Sequence, residues 1–312
     1  MTVTIGAAVD IGSNSIHLLI AAVDVAGLRP LIDESVQLGL GDVVDREGHL
    51  PADARDAILG ALETYAARSV ALGAQTLNLL ATEPLRRASN RSVIQADVLR
   101  AIGQPLQLLS HDAEAQLTLL GVTGGRPLES SLLVVDVGGG STELIVAAHG
   151  HEAVVGALPA GSARLTTAFV RHDPPTWFEI NALRAEAFRL IDSLPQTGIE
   201  LAPVRGVGVG GSATNLTKLP TSPLVPGALD RAGLERAFEI LAARSAQELA
   251  ETYLVSLRRA RQLAAGAAML DAVLAHFGLH HLDVSDASLR EGAVIAAQHG
   301  PDWLQHLPDL IA

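Results

Sequence analysis

Two stretches of the chain can be laid on one another. VDIGSNSIHLLIAA, from Val9, matches VDVGGGSTELIVAA, from Val135: Asp10 falls on Asp136, Gly12 on Gly138, Ser15 on Ser141 and Leu18 on Leu144, at a constant offset of 126 residues (136 − 10). Each copy reads as an apolar strand, an Asp-x-Gly turn and a second apolar strand. A repeat this long is no solenoid unit of about 20–50 residues and predicts two related domains opening on the same hairpin. The 312 residues are enough for two such α/β domains, which the sequence places at 1–122 and 123–312. TGGRPLES, 123–130, reads as the linker and hinge, with the last helix as the element that can pack back on the first domain.

The glycine turn in each copy is not one of the common nucleotide loops. A dinucleotide fingerprint would open a helix, whereas Glu143 and the β-rich run ELIVAA follow the second copy, and a P-loop lysine is missing because Lys218 is the single lysine. A glycine-rich hairpin can instead aim backbone N–H groups and hydroxyls at phosphate oxygens, since glycine lets the backbone turn tightly and approach closely. An ordinary β-hairpin is the competing reading of either copy taken alone. A third cluster, VRGVGVGGSATNL (204–216), again follows an apolar run and adds Gly210, Gly211 and Ser212 as candidate phosphate contacts beside Gly12, Ser13, Asn14, Ser15, Gly138, Gly139, Gly140, Ser141 and Thr142.

Between these loops, apolar spacing near 3.6, a proline at the start and Gly73 at the end predict a helix over 51–73, and further stretches read as helical over 91–102, 112–121, 179–194, 228–243, 255–278 and 286–298. Short apolar runs at TLNLLA, PLQLLS and HLDVS predict strands.

Composition narrows the function. With 34 acidic against 22 basic residues, a formal charge of −12 and 3% aromatics, the chain is built neither to attract polyanions at long range nor to stack bases, so a nucleic-acid polymer is not expected as partner. The absence of cysteine excludes disulfides and thiolate metal sites. No apolar run approaches the ~20 residues of a membrane span and the N-terminus carries no recognisable export signal, so a cytoplasmic protein without a membrane partner is expected. His149, His151, His280 and His281 lack the spacing of a zinc site and read as surface or structural residues.

The ordered series DIGSNS, ATEPLR, SHDAEAQLTLLGV, DVGGGSTEL, GSARLT, GVGGSATNL and SDASLREG resembles the exopolyphosphatase/guanosine pentaphosphate phosphohydrolase family from about residue 5 to 300. The resemblance implies two duplicated ribonuclease H-like domains, as in the actin, sugar-kinase and Hsp70 superfamily, enclosing a phosphate-binding cleft. It implies an enzyme that hydrolyses a terminal phosphoanhydride: exopolyphosphatase activity on inorganic polyphosphate of short chain length, or alternatively removal of the 5′ γ-phosphate of guanosine pentaphosphate (pppGpp). A noncatalytic phosphate or nucleotide sensor is the alternative of another class. On this resemblance Glu114 is the general base, Arg86 the phosphate-contacting arginine, and Asp136 and Glu143 the metal-side carboxylates for Mg²⁺ or another divalent cation. Asp10 stands open as a further metal-side carboxylate or a turn residue. A homodimer is expected.

Arg164, Arg258, Arg259 and Arg261 are further basic candidates, the last three reading first as a solvated helix face, and Arg290 with Glu291 as a structural pair. The chain departs from the family pattern at His111, Gln116 and Ser288, which bears on substrate preference.

Overall fold

The computed structural model describes residues 3–151, 153–194, 202–221 and 224–311. The chain forms two compact units, one holding the residues up to Arg126 together with Ala287–Ile311, the other Pro127–Asp286.

In the first unit β1 (Thr4–Ile11), β2 (Ser15–Asp24) and β3 (Gly27–Gln37) make an antiparallel meander, followed by α1 (Leu40–Glu47) and α2 (Ala52–Ala71). Then come β4 (Thr76–Ala81), α3 (Glu83–Arg87), α4 (Arg91–Ile102), β5 (Leu106–Leu108) and α5 (His111–Thr123). The sheet order is β3-β2-β1-β4-β5, with β4 parallel to β1 and β5 parallel to β4.

The second unit repeats this plan. Its meander is β6 (Leu132–Val137), β7 (Thr142–Ala147) and β8 (Val154–Leu158), followed by α6 (Ser162–Phe169), α7 (Trp177–Asp192), β9 (Arg205–Val209) and α8 (Gly210–Leu216). The two-residue β10 (Leu229–Asp230), α9 (Arg231–Ala243), α10 (Ala246–Tyr253), α11 (Leu257–Phe277) and β11 (His281–Val284) complete it. Read from β8, the order is β8-β7-β6-β9-β11, the same as in the first unit, with β10 added at the edge. The two units thus share one plan, as the repeated hairpin predicts, and it is the duplicated α/β fold that the family resemblance implies.

Period-two burial explains how each sheet holds helices on both faces. Along β1, Ala7, Val9 and Ile11 join Ile58 and Leu62 of α2 in one core, while the intervening Ala8 joins a second core with Leu289, Val294 and Trp303. The second core exists because the chain returns to the first unit after Asp286 as α12 (Leu289–Ala296) and α13 (Leu307–Ile311). Trp303 also donates its indole N–H to Asn78 Oδ1 at 3.2 Å, so its polar edge is satisfied where its ring is buried.

Contact between α5 and α12 is unusually close. A side chain at Gly121 would run into the Ser288 carbonyl, and one at Gly292 into the Leu117 carbonyl. Only hydrogen at both positions lets the backbones meet. In the second unit α11 is the central helix, buried along most of its length, and its one buried carboxylate, Asp271, is held by Arg231 Nε at 2.8 Å and Arg184 Nη2 at 3.1 Å.

Candidate functional site

In the first unit the parallel register sets Ile11 opposite Ala81, and Ala81 opposite Leu108. The segments that follow β1, β4 and β5 therefore leave the sheet at the same, carboxyl-terminal end, where open α/β sheets bind ligands. These segments carry Gly12–Ser15, Thr82–Arg86 and Ser110–Glu114.

The Asp10 turn is closed by Gly12 N–H donating to the Ser15 carbonyl at 3.0 Å and is braced from outside. Thr82 donates both its N–H and its hydroxyl to the Ile11 carbonyl, at 3.2 and 3.1 Å, and Gly41 N–H donates to the Ser13 carbonyl at 2.9 Å. Ser13 Oγ donates to Glu83 Oε2 at 2.8 Å, and the other Glu83 oxygen is ion-paired with Arg87, 2.7 Å from its Nε. Glu83 is thus a buried carboxylate tying the turn to α3, a link between residues 70 apart that no local pattern discloses.

Ser110 caps α5 by accepting Ala113 N–H at 3.1 Å, which sets Glu114 in the first turn of that helix. Glu114 is ion-paired to Arg86, whose guanidinium also donates to the Leu109 carbonyl at 3.0 Å and lies 3.1 Å from His111 Nδ1. Both members of the pair are mostly buried, with side chains 13% and 16% exposed, so the pairing is far less screened than a surface bridge. Burial first, and then the Arg86 charge, push the His111 imidazole below its usual range. A neutral ring that accepts from Arg86 follows.

The second unit repeats the turn with Gly138 N–H donating to the Ser141 carbonyl at 3.0 Å. Here the brace is the start of α6. Ser162 N–H and Oγ donate to the Gly138 carbonyl at 2.8 and 3.0 Å, and Ala163 and Arg164 N–H donate to the Gly139 carbonyl at 2.9 and 3.2 Å. The GSARLT segment is therefore the clamp on this loop, a role its sequence did not announce.

Asp136 and Glu143 stand directly opposite one another in the β6–β7 register, so both side chains project from one face of the hairpin. The equivalent pair in the first unit is Asp10 opposite His17, with His17 Nε2 2.6 Å from Ser15 Oγ. Only the second copy has kept two carboxylates at this place. Burial pushes Asp136 up to about 6, and Arg259 offsets part of that. Gly210 has φ +72°, a conformation that suits glycine, and any side chain there would strike the Asp136 carboxylate, while one at Gly211 would strike the Arg259 guanidinium. The third glycine cluster thus makes room for the Asp136 carboxylate and the Arg259 guanidinium, which act on one another electrostatically at the end of β9.

Several expectations need correcting. The Gly12 and Gly138 N–H groups close their own turns and are not open to phosphate. Thr142 is fully buried with its hydroxyl donated to the Ala160 carbonyl at 2.7 Å, and the Ser212 hydroxyl is donated to the Val137 carbonyl at 2.7 Å. Both are loop fasteners, because a buried hydroxyl needs an internal acceptor. Gly210, Gly211 and Ser212 begin α8, so their N–H groups have no intrahelical acceptor. Arg259 is not on a solvated face: its guanidinium lies at Gly211, with Nη1 buried and unpartnered among the described residues. Its helical neighbours at 258 and 261 disguised it in the sequence.

Compared with known proteins, the chain matches the Ppx/GppA phosphatase family from residue 19 to 299. The chain belongs to the Ppx/GppA phosphatase family. It is accordingly a phosphohydrolase. Among curated relatives, "Exopolyphosphatase 1" of Mycobacterium leprae is 27% identical over 295 residues, covering 92% of this chain and 87% of that one. The protein of the same name from Mycobacterium tuberculosis is 26% identical over 300 residues, covering 92% and 86%. The crystal structure of the Aquifex aeolicus Ppx/GppA family member superposes with a TM-score of 0.80 at 26% identity, covering 96% of this chain and 98% of that one. An exopolyphosphatase from Cytophaga hutchinsonii shares the fold, with a TM-score of 0.81 at 21% identity and 99% of each chain covered. Within this Ppx/GppA chain, Arg290 pairs with Asp33 at 2.5 Å and Glu291 accepts Ser288 N–H at 2.8 Å to cap α12, so the LREG segment is structural.

Proposed function

We propose that the protein is an exopolyphosphatase that hydrolyses the terminal phosphoanhydride of short inorganic polyphosphate, with Glu114 as general base and Arg86 as the phosphate-contacting cation. The observation that carries this reading is the mostly buried Glu114–Arg86 pair at the carboxyl-terminal end of the first sheet. It is supported by the name of the mycobacterial relatives.

In the resting pair each group neutralises the other. An incoming terminal phosphate offers Arg86 a tetrahedral, doubly charged acceptor, two oxygens of which suit its planar forked donors. As Arg86 turns toward phosphate oxygens, Glu114 is released to accept a proton from the attacking water. The water oxygen bonds to phosphorus, the bridging P–O bond breaks, and the shortened chain leaves on its own phosphate oxygen.

The opposed carboxylates Asp136 and Glu143 fit a hard divalent cation. Two oxygens on one hairpin face repel when bare, and burial disfavours the charge of Asp136 until a cation joins it. Mg²⁺ bound there would neutralise charge on the transferring phosphoryl group.

The test is orthophosphate release by the purified protein with Mg²⁺, offering short polyphosphate, long polyphosphate, guanosine pentaphosphate and ATP in parallel. Short polyphosphate is expected to be the best substrate. Glu114→Gln should lower kcat by about 10²–10⁴-fold with its thermal midpoint little changed. A Glu114→Gln protein as active as the wild type would remove Glu114 from the base role, and faster release from guanosine pentaphosphate would reassign the substrate.

A further inference from the structure

The second unit holds a cavity of about 320 Å³ on the far side of α11 from Arg259. It is walled by the end of α6, the segment 171–175, the end of α9, the start of α10 and the first two turns of α11. Ala260, Arg261 and Ala264 of α11 line it, whereas Arg259 is directed to Asp136 and Gly211. Nothing in the proposed hydrolysis uses these walls.

Their chemistry is divided. The floor is apolar, built from Leu241, Ala260 and Ala264, each at most 4% exposed. Cations stand at the rim, in a protein whose formal charge is −12. Three guanidiniums line the cavity, and they differ in what they already do. Arg171 is committed to the end of α6, where it donates to the Thr167 and Ala168 carbonyls at 2.5 and 3.4 Å. Arg261, in contrast, has no hydrogen-bond or ion-pair partner among the described residues. Arg244 lies over the Tyr253 ring, 5.9 Å from its centroid, and has no hydrogen bond or ion pair among the described residues either.

The carboxylates near this rim are hydrogen-bonded to neutral groups or to His172 rather than to Arg244 or Arg261. Asp173, the one carboxylate in the lining, accepts the Ala246 N–H at 2.7 Å. Glu248, which acts electrostatically with Arg244, is folded back onto Ser245, accepting its N–H and its hydroxyl at 2.7 Å each. Glu179 lies behind His172, whose Nδ1 is 2.9 Å away, and also takes the N–H groups of Arg171 and Thr176. Two guanidiniums with open donors therefore face a concave apolar floor.

From this juxtaposition we propose that the cavity is a second ligand site, for a small organic anion that has a compact apolar or aromatic body and one phosphate, sulfonate or carboxylate group. The volume lies at the lower end of small-molecule sites and matches a body of about two fused rings. Burying the body on the Leu241, Ala260 and Ala264 floor gains the hydrophobic term, and the anionic group takes the N–H groups of Arg261 and Arg244. Orthophosphate alone would leave the floor wet, and a metal ion would find the single carboxylate of Asp173 among three guanidiniums.

The probe is naphthalene-1-sulfonate, which carries this chemistry and has no bond the enzyme hydrolyses. Titration of the full-length protein by calorimetry is expected to show saturable binding at one site. Arg261→Glu, which changes an exposed residue with no internal partner, should weaken it at least tenfold, and Arg244→Ala several-fold. Glu114→Gln should leave it unchanged, and millimolar orthophosphate should not displace the probe. Absence of saturable binding, affinity unaltered in both rim variants, or displacement by orthophosphate would each overturn the proposal. The outcome is independent of which phosphoanhydride the enzyme cleaves, because neither the probe nor the rim variants touch Glu114 or Arg86.

Discussion

Burial pushes the Asp136 carboxyl from its ordinary 3.8 up to about 6, with Arg259 opposing the rise. A folded-state value above the unfolded one means that the group favours the fold below pH 3.8 and loses that contribution as pH rises through 6. Without divalent cation, ionised Asp136 therefore costs the native state about 3 kcal/mol at neutral pH, from about 1.4 kcal/mol per pH unit. Asp136→Asn removes the titration. The stability of the wild type relative to this variant should fall by up to that amount between pH 4 and pH 7, measured by urea unfolding in chelator. A difference that stays constant with pH would show that Asp136 is hydrated in solution. The repeated Asp-x-Gly motif disclosed this residue from sequence. Its counter-charge did not show, since Arg259 sits among arginines at 258 and 261 and only the path of the helix past Gly211 selects it.

At the scale of elements, loops that look alike in sequence are held by different means. The turn in the first unit is fastened by Thr82, Gly41 and Glu83, and that in the second by the N–H groups opening α6. Helix α5, which presents Glu114, is itself seated by its glycine-to-glycine approach to α12. Gly292→Ala would drive a methyl group into the Leu117 carbonyl, and rigid backbone on both sides cannot yield cheaply. Destabilisation of about 1–3 kcal/mol is expected by chemical denaturation, with kcat falling because Glu114 moves with its helix. A variant as stable and as active as the wild type would show that the two helices separate freely. The helix over 51–73 was legible because proline, apolar spacing and glycine bracket it locally, and it forms as α2, while the stretch over 91–102 forms as α4. The short α3 was not, since five residues are too few for a periodic pattern to emerge.

For the molecule as a whole, the two units share one strand order, yet the first is built from both ends of the chain. Leu289, Ala293, Val294 and Trp303 complete a core on a sheet face where the first 126 residues contribute chiefly Leu109, Leu117 and Leu120. At roughly 1.5–3 kcal/mol for each large buried side chain, the loss of Leu289, Val294 and Trp303 is comparable to the whole stability of a marginal domain, about 5–15 kcal/mol. A chain truncated after Asp286 should lose cooperative unfolding of its first unit and bind hydrophobic dye, seen by calorimetry and fluorescence. A truncated form that retained both native transitions would refute this. By itself the sequence determined the duplication, the hairpins, most of the helices and the family, because these rest on periodicity and on motifs read along the chain. Tertiary structure alone decided that Glu83 reaches Ser13, that Arg259 meets Asp136, that Thr142 and Ser212 are fasteners, and that the C-terminal helices close the first core. Each depends on residues far apart in sequence being packed without water between them, and no local pattern encodes that distance.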